Sequence, residues 1–178
     1  MTKIWDYKSN DNDMLAIQVA KDPNITYTKP EMAKYLIDRI TFEEGDLVME
    51  PCFGNGSFYN AIPDDVYKTY CEINMDKDYL QFEGIVDITL SNPPFIPRKL
   101  FWNFHQKAME TTRREIWWLI NISSLNVFTT KRIKEMHDKK WYLNSMLVVA
   151  DKRWFGRYVW CKFSKNNTNV LDFCNKSF

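Results

Sequence analysis

The sequence predicts an α/β fold: a mostly parallel open sheet with helices on both faces and an antiparallel hairpin at its C-terminal end. Three observations lead there. Short apolar runs alternate with stretches of helical periodicity, the last two apolar runs follow each other without a helix between them, and every unusual glycine- or proline-bearing sequence falls directly after an apolar run. In open sheets of this kind ligands lie in the crevice at the carboxyl ends of the strands. The third observation therefore points to one site.

Taken in order, residues 1–25 form a polar N-terminal segment with a short helix around Met14 to Val19. TKPEMAKYLIDRI then reads as a helix. Thr28 stands as N-cap, Pro30 suits the first turn, Glu31 completes a capping box, and Met32, Tyr35, Leu36 and Ile40 share a face. DLVMEP is a buried strand that runs into the glycine loop CFGNGSF, with SFYNAI opening a helix. KTYCEI (strand), NMDKDYL (loop), IVDITLS (strand), NPPF (loop) and KLFWNFHQKAMETTR (helix) follow. EIWWLINI (strand), TTKRIKEMHDKK (helix), LNSMLVVADKRW (strand) and RYVWCKFSK (strand) close the pattern.

Composition bounds what such a sheet can do. The chain of 178 residues, 45% hydrophobic, fits one domain with a substantial core, placed at 26–178. Its longest apolar runs fall short of a membrane span, and MTKIWDYKSNDND lacks the apolar centre of a secretory signal. A soluble intracellular protein of the cytoplasm or nucleus is expected, without a membrane partner. Cys52, Cys71, Cys161 and Cys174 form no CxxC pair and the histidines are His105 and His137 alone, so no metal site and no disulfide framework is expected. The net charge of +1 conceals a division: residues 1–98 hold 9 Lys and Arg against 17 Asp and Glu, whereas residues 99–178 hold 15 against 6. A basic half interleaved with Trp141, Trp154, Phe155, Tyr158 and Trp160 has the make-up of a polyanion-binding surface, or of a solvated lysine-rich face.

The strand-end sequences carry the chemistry. EPCFGNGSF follows the first strand, Glu72 ends the second, Asp78 lies in the next loop, and SNPPF follows the third. Singly, each has an ordinary structural explanation as a turn, a cap or a solvated acid. Together, and in this order, they resemble the S-adenosylmethionine-dependent amino-methyltransferases, in particular N6-adenine DNA methyltransferases of the gamma arrangement. The resemblance runs from about Thr26 to Lys165. TYTKPEMAKYLI resembles the family's N-terminal motif, EPCFGNGSF its cofactor loop, YCEI its ribose-binding strand end, DYL its next cofactor motif, and SNPPF its catalytic [DN]PP[FYW] motif. EIWWLINISSL and KRWFGRYVWCKFSK resemble its closing strands more loosely.

The resemblance implies a Rossmann-like class I methyltransferase fold, S-adenosylmethionine as cofactor and methyl transfer to adenine N6 in DNA. It assigns Asn92, Pro93, Pro94 and Phe95 to catalysis, and Thr28, Glu50, Pro51, Phe53, Gly54, Gly56, Glu72, Ile73, Asp78, Tyr79 and Asn92 to the cofactor. An exocyclic amine is a poor nucleophile because its lone pair is delocalised into the ring. The Asn92 side-chain oxygen and the Pro93 carbonyl can accept its N–H groups while Phe95 stacks on the base. No general base is required, since the proton can leave to water. Glu50 would face the cofactor's ammonium, Glu72 its ribose hydroxyls and Asp78 its adenine amine, with Tyr79 packing on that ring. Thr28 would border the methionine carboxylate. Phosphates would meet Arg98, Lys99, Lys152, Arg153 and Arg157.

The chain departs from the family pattern at three points. Five residues separate Glu72 from Asp78 where the family has a longer segment with a helix, which leaves Asp76 and, more distantly, Asp87 as alternatives to Asp78. Phe53 and Asn55 make the glycine loop bulkier. No room remains for a target-recognition domain, so sequence choice would come from loops, from the first 25 residues, from a homodimer or from a protein partner. NPPF also resembles RNA methyltransferases acting on adenine N6 or guanine N2, and NPPY occurs in release-factor glutamine methyltransferases, for which a basic half has no use. A methyltransferase-like subunit that only binds nucleic acid is a further reading, opposed by the intact SNPPF, EPCFGNGSF and Glu72. The early TKPEMAKYLI and the form of EPCFGNGSF favour DNA.

Overall fold

A computed structural model describes residues 27–154, 156–167 and 172–177; Phe155 and the N-terminal segment, where the sequence predicts a helix around Met14 to Val19, lie outside the described residues. The sheet has seven strands: β1 Leu47–Glu50, β2 Tyr67–Tyr70, β3 Val86–Ser91, β4 Thr112–Asn121, β5 Tyr142–Ala150, β6 Tyr158–Ser164 and β7 Asp172–Ser177. Their spatial order is β2-β1-β3-β4-β6-β5-β7. Neighbours pair in parallel from β2 to β4, and again between β5 and β7, while β6 lies antiparallel to both β4 and β5. The expected hairpin is thus present. The seventh strand was not foreseen in the sequence.

Helices α1 Pro30–Ile37 and α2 Ser57–Ala61 cover one face, and α3 Arg98–Thr111 with α4 Thr130–Asp138 covers the other. Strand β4 shows why EIWWLI is apolar throughout. Trp117 and Leu119 enter the core beneath α1, whereas Ile116, Trp118 and Ile120 enter the core beneath α3. A strand covered on both sides gains from every apolar residue, not from alternate ones. Burying a tryptophan such as Trp118 contributes about 3–5 kcal/mol, on the scale of its truncation to alanine.

Two element boundaries differ from the sequence expectation for local chemical reasons. Lys29, not Thr28, caps α1, and no side chain closes a capping box. The Thr28 carbonyl accepts from Ser57 Oγ at 2.8 Å, and its hydroxyl lies 3.5 Å from Asn92 Nδ2, so the residue is drawn toward the strand ends instead of the helix terminus. Strand β5 stops at Ala150, short of the expected KRW, because Asp151 turns the chain: its carboxylate accepts from the Arg153 N–H at 2.9 Å and its carbonyl from the Trp154 N–H at 2.9 Å. The remaining elements fall within a few residues of the expected ones. Among the described residues no helix is long and apolar enough to cross a membrane.

Candidate active site

After β1 the chain moves outward through α2 to β2, then returns to place β3 on the other side of β1. That reversal opens a crevice at the carboxyl ends of β1 and β3. A cavity of about 310 Å³ occupies it, at the lower end of the range for small-molecule sites (about 300–1,000 Å³). Of the cofactor residues read from the sequence, Thr28, Glu50, Pro51, Phe53, Gly54, Glu72, Ile73, Asp78, Tyr79 and Asn92 all line this cavity, and so does Pro94 of the catalytic group.

The glycine loop is held to the second strand end by Glu72. Its Oε2 accepts the Gly54 N–H at 2.9 Å, and its Oε1 accepts the backbone and side-chain N–H groups of Asn74 at 3.2 and 3.1 Å. Glu72 therefore sits at a fixed place and keeps a lone pair for a further donor. Gly54 has φ of +55°, and a Cβ there would meet the Tyr27 ring at 3.1 Å. Gly56 does not line the cavity. It has φ of +76°, a Cβ on it would meet Phe53 Cζ at 2.8 Å, and it starts α2, so its part is to seat Phe53.

Two buried acceptors at the cavity have no partner among the described residues: Glu50 Oε2 and Asn92 Oδ1. Burial pushes the Glu50 carboxyl well above its usual range; the Tyr59 backbone N–H opposes this and the Glu72 carboxylate adds to it. A carboxyl so placed ionises readily only beside a cation. Asn92 has its amide nitrogen turned to Thr28, which leaves the oxygen for a donor in the cavity. Cys52 lies between these groups, and its thiol is pushed up by burial and by the neighbouring Glu50 and Glu72 carboxylates. It is a neutral thiol, not a nucleophile.

Asp78 lines the cavity while capping the turn at Leu80, with Oδ1 accepting the Leu80 N–H at 2.9 Å. The alternatives lie elsewhere. Asp76 is exposed in a left-handed turn, and Asp87 sits at the amino end of β3, where it accepts from the Leu47 N–H and pairs with Arg113. Tyr79 is 1% exposed and packs against Phe82 and Phe104, making it part of the cavity floor more than a free stacking surface. Burial also raises its phenol.

Pro93 is buried behind Asn92, and Phe95 is half-buried with its ring edge-on to Tyr158 at 5.9 Å. Neither lines the cavity, so the NPPF tetrapeptide spans from the cavity to a separate aromatic rim. Arg98 and Lys99 are exposed at the start of α3, and Lys152 and Arg157 on loops at the same carboxyl edge. Arg153 differs. Its guanidinium grips Asp151 at 2.8–3.2 Å and reaches the Tyr27 carbonyl at 3.3 Å, while Lys29 approaches Asp151 at 3.5 Å. This lock holds the Asp151 carboxyl down to about 2 and pins the segment that carries Thr28. Sequence reasoning missed the lock, as well as Asn74, Ser57 and Phe104 on the cavity wall. The first two are short polar residues next to recognised motifs, whereas nothing in the sequence separates Phe104 from the core.

No protein-family model and no curated protein matches this sequence. Solved structures do. A protein assigned as a class I S-adenosylmethionine-dependent methyltransferase of Listeria monocytogenes superposes with a TM-score of 0.61 at 12% identity, covering 82% of this chain and 63% of its own. The fold is that of the class I methyltransferases. A protein assigned as an RNA methyltransferase of Pyrococcus horikoshii gives 0.58 at 18% identity over 78% and 80% of the two chains. A modification subunit assigned to a type I restriction enzyme of Vibrio vulnificus gives 0.57 at 13% identity over 88% and 48%. The chain thus spans less than two thirds of the Listeria and Vibrio proteins.

Proposed function

We propose that this chain is an S-adenosylmethionine-dependent methyltransferase that methylates the exocyclic N6 amine of adenine in DNA. The observation that carries the reading is the Asn92 oxygen, buried and unpartnered at the cavity, on the loop that follows β3. A buried acceptor without a donor costs about 1–3 kcal/mol, and a substrate amine removes that cost.

The residues present fit the cofactor. Glu50 offers a buried carboxylate oxygen for an ammonium, Glu72 a remaining lone pair for a ribose hydroxyl, and Asp78 an acceptor at the adenine end. When bound, the cofactor supplies an electrophilic methyl group on a sulfonium centre. Asn92 Oδ1 and the Pro93 carbonyl accept the two N–H bonds of the amine, which draws its lone pair out of the ring and aims it at that methyl. Phe95 holds the extruded base by its face. The amine held in this way would take up the methyl group of a bound cofactor, which keeps the C–S electron pair as a thioether, and the extra proton of the methylated amine would pass to water.

DNA is preferred on the resemblance of TKPEMAKYLI and EPCFGNGSF and on the exposed basic residues beside the tetrapeptide. The methyltransferase domain is assigned to 26–178, and choice of sequence to loops, residues 1–25, a second copy or a partner. Asn92→Ala tests the mechanism: transfer is expected to fall by at least about 10²-fold while cofactor affinity changes little. Retained transfer would remove Asn92 from the reaction.

A further inference from the structure

Ile96 is 79% exposed, the highest value for any large hydrophobic side chain among the described residues. A single exposed isoleucine by itself needs no account. This one directly follows the tetrapeptide that holds the base. Pro94 and Pro97 bracket it, and α3 begins at Arg98, so the loop that displays the side chain has little backbone freedom to lose on binding.

Its surroundings define the partner. Arg98 and Lys99 are exposed just behind it, and residues 92–99 contain no acid. Phe95 meets Tyr158 at 5.9 Å, Tyr158 pairs with Asn121 across β6 and β4, and the Ile122 N–H donates to the Arg157 carbonyl at 2.9 Å. Ile122, 43% exposed, is thus a second apolar tip on the same rim, beside the exposed Arg157. Arg98, Lys99 and Arg157 make no ion pair among the described residues. Apolar tips set among unpaired cations match a duplex, whose base steps are apolar and whose edges are anionic.

An extruded adenine leaves a gap in the stack and an unpaired partner base. Filling that gap offsets the unstacking cost. We propose that Ile96 is the wedge that enters the duplex where the target adenine leaves it, with Ile122 against the neighbouring base step and Arg98, Lys99 and Arg157 on the flanking phosphates. This rests on the methyltransferase reading above and deepens it, because it makes double-stranded DNA the substrate.

The test compares wild type, Ile96→Ala and Ile96→Met on native DNA, on the same DNA heat-denatured, and on a duplex whose adenines face abasic positions. Ile96 is exposed, so neither variant endangers the fold. Ile96→Ala is expected to lose about tenfold or more of its transfer rate on native duplex, and to match wild type on the denatured and abasic substrates; Ile96→Met keeps the bulk and the duplex rate. With 2-aminopurine in place of adenine, the fluorescence gain on binding duplex shrinks in Ile96→Ala. Equal losses on all three substrates, or no loss on duplex, overturn the wedge, the latter also being the outcome if Ile96 docks on another protein. Wild type that labels denatured DNA alone overturns the wedge and leaves the methyltransferase reading standing. Wild type that labels no nucleic acid overturns both.

Discussion

Asn92, Glu50 and Glu72 line one cavity, and under the proposed function each is expected to give a distinct signature when altered. Glu50 is a carboxyl raised by burial, so in the free protein it holds its proton to a higher pH than an exposed glutamate, whose pKa is about 4.3. An ammonium binds the ionised form. Binding therefore releases a proton, and cofactor affinity rises with pH until the free carboxyl has ionised. Calorimetry across pH is expected to show this rise in wild type and a flat response in Glu50→Gln; a rise that persists in the variant assigns the proton to another group. Glu72→Ala removes three hydrogen bonds that fix Gly54 and Asn74, and with them the proposed acceptor for a ribose hydroxyl. Hydrogen bonds to a charged group contribute about 1.5–3 kcal/mol, so cofactor Kd is expected to rise by about 10- to 100-fold, measured by the same calorimetry. SNPPF and YCEI made Asn92 and Glu72 legible from sequence. The orphaned state of the Glu50 and Asn92 oxygens was not, because it depends on what surrounds them in space.

Among the elements, β5 and α1 are joined by Asp151, Arg153 and Lys29, a contact between residues more than a hundred positions apart that no local pattern announces. The same separation explains why Arg153 reads as a phosphate ligand in the sequence and sits as a strut in the fold. Asp151→Ala leaves two cations without their acceptor and is expected to cost about 1–3 kcal/mol in urea unfolding at neutral pH. The Asp151 carboxyl is depressed, so its stabilisation is complete above about pH 4 and is lost as pH falls to about 2. His105 acts over a higher range. Set in α3 against β4, it accepts from Trp118 Nε1 at 3.0 Å, and burial, with a smaller effect from Lys139, pushes its pKa down to about 3. Unfolded chains bind that proton near pH 6.5 and the native state does not, so stability declines as pH falls from about 6.5 toward 3, by at most about 1.4 kcal/mol per pH unit. His105→Gln is expected to flatten this slope in unfolding measured between pH 6.5 and 4; an unchanged slope would show that His105 does not govern it.

Across the whole molecule, the charge division seen in the sequence becomes a spatial one. Glu50, Glu72 and Asp78 gather at the cavity, whereas Arg98 and Lys99 at the start of α3 and Lys152 and Arg157 on loops are exposed and do not line it. The NPPF tetrapeptide lies between them, as the proposed transfer from a cationic cofactor to a polyanion would need. Binding of nucleic acid is expected to weaken linearly in log–log plots against salt, with Lys152→Ala or Arg157→Ala each lowering the slope by about 0.9 for duplex DNA. Alternation of strands and helices made the parallel sheet and its ligand edge legible. Strand β7 was not, because a short segment separated from its partner β5 by the whole of β6 is specified by pairing with a distant edge more than by its own periodicity.

The most direct measurement is methyl transfer from labelled S-adenosylmethionine to matched DNA and RNA, single- and double-stranded, followed by digestion and identification of the labelled nucleoside. The proposed function predicts N6-methyladenine from DNA in wild type, with the label lost in Asn92→Ala. Label confined to RNA, or to a position other than an exocyclic amine, would contradict the account.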